Sequence, residues 1–190
     1  HLSKDVPSEA GRALTLALRK ITPQILDWPQ CARAAWTVLR RKVWGKECCP
    51  AFSPDYTQCI DHFLLHAGGY AVLQGIRKGM GLPAGALMPS FSNLKDMGNT
   101  SSATTWYAWT YLETSTGMKK GERVLQAGVG GGMKAAVAVW RALRDVKETH
   151  RAWAHVAGRP YTEADLPRPI TVEGTLTGLR SLSLQVRGQL

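Results

Sequence analysis

Apolar positions recur along this chain with a changing period, and the changes divide it into elements. After Ser3-Lys4-Asp5, Ala10, Leu14, Ala17, Leu18 and Ile21 follow helical spacing, which predicts a capped amphipathic helix that Pro23 ends. A second helix is predicted after Pro29, with Ala32, Ala35, Trp36, Leu39 and Val43 on one face and Arg33, Arg40, Arg41 and Lys42 elsewhere around it. A core-packed helix with a solvated charged side is the expectation; a basic amphipathic helix lying on a membrane surface is the alternative. Residues 48–54 read as loop. Ile60 to His66 is a short apolar run before Ala67-Gly68-Gly69, which predicts a buried strand entering a tight turn.

Tyr70 to Met80 returns to helical spacing and stops at Gly81 and Pro83. A loop is expected next. Gly98-Asn99-Thr100-Ser101-Ser102 then offers a polar start for a helix running to about Ser115. Arg123 to Val129 reads as a strand, Gly130-Gly131-Gly132 as a turn and Met133 to Trp140 as a returning strand. This order predicts an α/β fold, a mixed sheet with an antiparallel last hairpin and helices on its faces. The pattern fades from about Thr149, and Gly158, Pro160, Pro167 and Pro169 suit a tail with little structure of its own. The expected division is therefore 1–149 as the folded part and 150–190 as a peripheral tail.

The 190 residues carry 24 basic and 14 acidic side chains, a net charge of +10. The excess is uneven: residues 1–46 hold nine basic and three acidic groups, whereas 47–118 hold three and five. Such a surface attracts polyanions in general. Nucleic acid is not the expected partner, because aromatic residues do not interleave with the basic clusters and no zinc-finger or RNA-recognition motif occurs. No apolar run approaches the ~18 residues needed to cross a bilayer. The chain begins at His1, not Met, and reads as part of a longer protein. Its four cysteines (Cys31, Cys48, Cys49 and Cys59) include no Cys-x-x-Cys pair, so reduced thiols are expected and a structural zinc site is not.

Few residues are candidates for chemistry. His62 and His66 lie four apart and could begin a metal site, but no third ligand accompanies them, and no metal is expected. His66 ends the apolar strand and faces a Gly-Gly turn, where glycine permits close approach of backbone or substrate. By itself such a residue ordinarily reads as a hydrogen-bonded core histidine. Asn99 reads first as a helix cap. A neutral imidazole and a primary amide aimed at one oxygen would form an oxyanion hole. Gly128 to Gly132 lacks the last glycine of a dinucleotide loop, with Met133 in its place, and no Walker lysine-serine pair follows.

Taken in order, these blocks resemble the C-terminal half of the plant-type 3-ketoacyl-CoA synthases, the condensing enzymes of very-long-chain fatty-acid elongation. His62-Phe63-Leu64-Leu65-His66-Ala67-Gly68-Gly69 is similar to that family's His-Phe-Cys-Ile-His-Ala-Gly-Gly. Gly98-Asn99-Thr100-Ser101-Ser102 with Trp106-Tyr107, and Gly130 to Lys134 with Ala138-Val139-Trp140-Arg141-Ala142-Leu143, match two further blocks. Leu2-Ser3-Lys4-Asp5 matches the usual start of this half, so the resemblance covers residues 2 to about 148.

The resemblance implies half of a thiolase-like fold and a decarboxylative Claisen condensation of malonyl-CoA with a long-chain acyl-CoA. His66 and Asn99 would hold the malonyl thioester oxygen. CoA thioesters would be substrates, with no cofactor. It implies a homodimer for the full-length parent, other elongase components as partners, and a place at the cytosolic face of the endoplasmic reticulum membrane. The family's reactive cysteine lies in a Gly-flanked turn, and none of Cys31, Cys48, Cys49 and Cys59 matches it, so a fragment inactive by itself is expected. Lys95 replaces a further family histidine, Leu64 a cysteine and Met133 a phenylalanine. Two other readings stay open: a non-catalytic remnant serving as a binding or regulatory subunit, and a type III polyketide or ketoacyl-carrier synthase.

Overall fold

The computed structural model describes residues 6–47, 49–132 and 134–166. Two helices, α1 (Val6–Ile25) and α2 (Trp28–Trp44), precede the first strand, β1 (His62–Leu65). Helices α3 (Tyr70–Gly79), α4 (Met88–Asp96) and α5 (Thr104–Ser115) then lead to β2 (Arg123–Gly130) and β3 (Lys134–Arg141). The sheet order is β1-β2-β3. β1 runs parallel to β2 with His62 opposite Val124 and Leu65 opposite Ala127, while β3 returns antiparallel with Val124 opposite Trp140. The predicted α/β order with a closing hairpin is thus the observed one. Gly132, at φ +69°, supplies the left-handed residue of the hairpin turn, and Gly130 pairs with Lys134 across it, so this glycine run joins two antiparallel strands.

Strand alternation distributes the core between two layers. Phe63, Leu65, Leu125 and Ala127 face one side, where they pack with Leu14, Leu18 and Ile25 of α1 and Leu73 of α3. Leu64 and Val124 face the other side and pack with Ala108 and Leu112 of α5. At the outer edge of β1, the Leu65 N–H donates to Ser90 Oγ of α4 at 2.8 Å, so the helix satisfies a group the sheet leaves open.

Four expectations need correction. The predicted N-terminal cap at Ser3-Lys4-Asp5 lies outside the described residues, but α1 itself passes through Pro23 and ends at Ile25. In the last turn a proline forfeits only its own donor, and little helix remains to be broken. The segment after Gly81, expected as loop, contains α4, with Pro89 in its first turn. Three of its five buried residues, Ser90, Ser92 and Asn93, are polar, and they interrupt any apolar period around Pro89 and Phe91.

Helix α2 forms where expected, but its apolar face does not enter the core: Trp36, Leu39 and Val43 are exposed. The side turned inward carries Gln30, whose amide is fully engaged. Its Oε1 accepts from the Asp55 N–H at 2.9 Å, and its Nε2 donates to the Asp55 carbonyl at 3.0 Å. Finally, residues 150–166 are not a loose tail. Trp153 is completely buried, stacks edge-on against Tyr111 of α5 and donates to the Tyr107 carbonyl at 3.0 Å. Among the described residues, no helix is long and apolar enough to cross a membrane.

Candidate active site

The parallel pairing of β1 and β2 carries His66 to the carboxyl end of the sheet, where its backbone N–H continues the ladder to the Ala127 carbonyl at 2.9 Å. The chain then turns sharply, the Gly68 N–H donating back to the His66 carbonyl, and enters α3. The imidazole is partly buried, and this burial lowers its pKa below the ordinary histidine value of 6.5. At neutral pH the ring is uncharged and offers one N–H donor. Among the described residues no side-chain hydrogen bond engages it.

Asn99 comes from the corner between α4 and α5. Its Oδ1 accepts the Ser101 N–H at 2.9 Å, an Asx turn that leaves the Nδ2 donors directed elsewhere. Ser101 has φ +56°, the single non-glycine residue with positive φ among the described residues. Such backbone strain is expected where a side chain must be aimed. The corner is also braced from below: Asn93 Nδ2 donates to the Gly98 carbonyl at 3.2 Å. Sequence reasoning missed Asn93, and its only signal was a polar residue in a segment that the helix buries.

Helix α5 runs antiparallel to β1 and β2. Thr105, in its first turn, receives a hydrogen bond from Gln126 Nε2 at 3.1 Å, while Leu112, two turns on, packs beside Val124, nearer the start of β2. The residues that lead into α5 therefore lie toward the strands' carboxyl ends, the edge from which His66 projects. In open α/β sheets ligands are received at this edge. Two uncharged donors on one edge can stabilise negative charge developing on a substrate oxygen.

The other candidates have structural partners. His62 Nε2 lies 2.9 Å from Glu122 Oε2. No group of three or more His, Cys, Asp or Glu able to hold a metal occurs among the described residues. Lys95 pairs with Asp96 at 3.1 Å and sits 3.9 Å over the Tyr161 ring, so the docked C-terminal segment occupies its ammonium. Trp140 donates to Gln126 Oε1 at 2.9 Å, completing a relay from β3 through β2 to Thr105. A cleft of about 700 Å³ between α1, α3 and residues 52–56 is lined by Leu14, Leu18, Tyr56 and Ile76 and by neither His66 nor Asn99.

Residues 56–142 match the family model described as 3-oxoacyl-[acyl-carrier-protein (ACP)] synthase III C terminal. The chain is 34% identical over 171 residues to probable 3-ketoacyl-CoA synthase 14 of Arabidopsis thaliana, covering 90% of this chain and 36% of that protein. It is 38% identical over 145 residues to probable 3-ketoacyl-CoA synthase 20 of Oryza sativa subsp. japonica, covering 76% and 28%. The chain belongs with the 3-ketoacyl-CoA synthases, in their C-terminal region. Its fold is accordingly part of a thiolase-like fold. The chain spans about a third of the length of the curated synthases it matches.

Proposed function

We propose that this chain supplies the oxyanion-binding part of a condensing acyltransferase that joins malonyl-CoA to a long-chain acyl-CoA in fatty-acid elongation. When the malonyl C–CO2 bond breaks, its electron pair passes to the thioester and forms an enolate. The His66 N–H and the Asn99 Nδ2–H hold that oxygen. The enolate carbon then attacks the acyl thioester carried by a cysteine; the new C–C bond forms as the C–S bond breaks, and the thiolate leaves. A neutral imidazole suits this role, because the oxygen needs a donor and no net proton transfer.

The acyl-bearing cysteine comes from a part of the synthase beyond this chain. Cys59 is buried and accepts a hydrogen bond from Gln30 Nε2 at 3.4 Å, and Cys31 sits on α2 turned toward the Leu26 carbonyl. Neither lies in a Gly-flanked turn. The full synthase acts at the cytosolic face of the endoplasmic reticulum membrane as a homodimer, beside other elongase components.

Two observations support this reading: an imidazole at the end of β1 whose pKa burial lowers, and, at the corner before α5, an amide whose oxygen accepts the Ser101 N–H. In a full-length synthase carrying this chain, His66→Ala and Asn99→Asp should each reduce condensation and CO2 release from malonyl-CoA by about a hundredfold or more. Transfer of radiolabelled acyl groups to the enzyme should persist in both. Undiminished CO2 release in either variant discards the assignment.

A further inference from the structure

We propose that α2 lies flat on an anionic membrane surface with its apolar stripe turned into the lipid. At about 100° per residue, Trp28, Leu39, Ala32, Val43 and Trp36 fall within an arc of roughly 80° and extend about 22 Å along the helix. Trp28, Trp36, Leu39 and Val43 are 80%, 58%, 50% and 61% exposed. The protein seats this helix by the opposite side, through the 2% exposed Gln30 and its bonds to Asp55. Burying an amide while leaving three large apolar side chains and a valine in water is unfavourable unless another apolar medium covers them.

Charge identifies that medium. Arg33 and Arg40 border the stripe on one side and Lys42 on the other, and residues 28–44 contain four basic and no acidic side chains. An apolar stripe between two cationic borders is the pattern of an interfacial helix, whose side chains reach the acyl boundary while its cations meet anionic headgroups. Trp28 stands at the first end of the stripe, and indole rings favour the headgroup level. A second copy of the chain is a poor cover, since stacking α2 on α2 would bring eight cations together. This inference concerns α2 alone and does not depend on the oxyanion assignment.

The purified chain should bind vesicles of phosphatidylcholine with about one-third phosphatidylserine at least about tenfold more tightly than phosphatidylcholine alone, with the preference lost in high salt. The double variant Trp36→Glu with Leu39→Glu should lose this binding by about tenfold or more, and so should Arg33→Gln combined with Arg40→Gln and Lys42→Gln. Leu143→Glu, at an exposed position outside α2, should leave it unchanged. In a full-length synthase in membranes, a photocrosslinking residue at position 39 should capture lipid. Equal binding to both vesicle types, binding unaffected by the α2 variants, or a protein adduct from position 39 would each overturn the proposal.

Discussion

The imidazole of His66 lies over Gly68, so that a Cβ at position 68 would sit 3.4 Å from its Cδ2 and 3.8 Å from its Nε2. These are ordinary contact distances, and backbone strain does not enter. Gly68→Ala should therefore fold with a stability within about 1 kcal/mol of the parent. The added methyl covers the Nε2 edge, where the proposed substrate oxygen would approach. In a full-length synthase, condensation should fall about tenfold in Gly68→Ala and further in Gly68→Val, because displacements near 1 Å have large effects on reacting geometry. Thermal melts and CO2 release separate the two effects; full activity in Gly68→Val would show that this edge of the ring is not used.

The depressed pKa of His66 also predicts a pH dependence of stability. Between its folded value and 6.5, the unfolded chain binds a proton that the folded chain does not. This group therefore costs no stability above pH 6.5, and stability falls as the pH is lowered through that window. His66→Gln removes the effect. The variant should lose less melting temperature than the parent between about pH 7.5 and pH 5.5. The other histidines cancel in the comparison, and parallel pH profiles would show that His66 titrates normally.

The β3 residue Trp140 reaches across the sheet to Gln126, which in turn holds Thr105. Trp140→Phe keeps an aromatic ring but leaves the buried Gln126 oxygen without its donor, at a cost of about 1–3 kcal/mol. Adding Gln126→Leu removes the orphaned amide and should recover part of that loss. Urea denaturation of the single and double variants reads the difference, and a neutral Trp140→Phe would mean that solvent replaces the indole N–H.

The elements that periodicity revealed are those whose inward face is apolar. β1 shows this in Phe63, Leu64 and Leu65, and α3 in its buried Leu73, while the glycine run marked the β2–β3 turn. Helix α4 escaped notice because Ser90, Ser92 and Asn93 are buried beside Phe91 and interrupt any apolar period. The apolar stripe of α2 was visible, but burial was inferred from apolarity, and Gln30 shows that hydrogen-bond complementarity with Asp55 decided which side faced inward. At the candidate site, His66 and Asn99 were legible as residues, whereas the Asx turn, the Asn93 brace and the shared sheet edge arise only from folding.

Trp153 ties the C-terminal segment to α5 and, through that segment, to the region around Asn99. It is fully buried, and its indole N–H donates to both the Tyr107 carbonyl and Thr110 Oγ1. Beyond it, Tyr161 Oη donates to Asp96 Oδ2 at 2.9 Å and lies beneath Lys95, while His155 Nε2 approaches the same carboxylate at 2.9 Å. Trp153→Ala should cost about 3–5 kcal/mol, the range for emptying a buried aromatic site. Trp153→Phe retains most of the packing but leaves the Tyr107 carbonyl without that donor, at about 1–2 kcal/mol plus a smaller packing loss. Hydrogen exchange would locate the damage: residues 151–166 and the last turn of α4 should lose protection in Trp153→Ala while β1 and β2 retain theirs. Unchanged protection of 151–166 would mean that the segment is held by the Asp96 cluster and not by the buried indole.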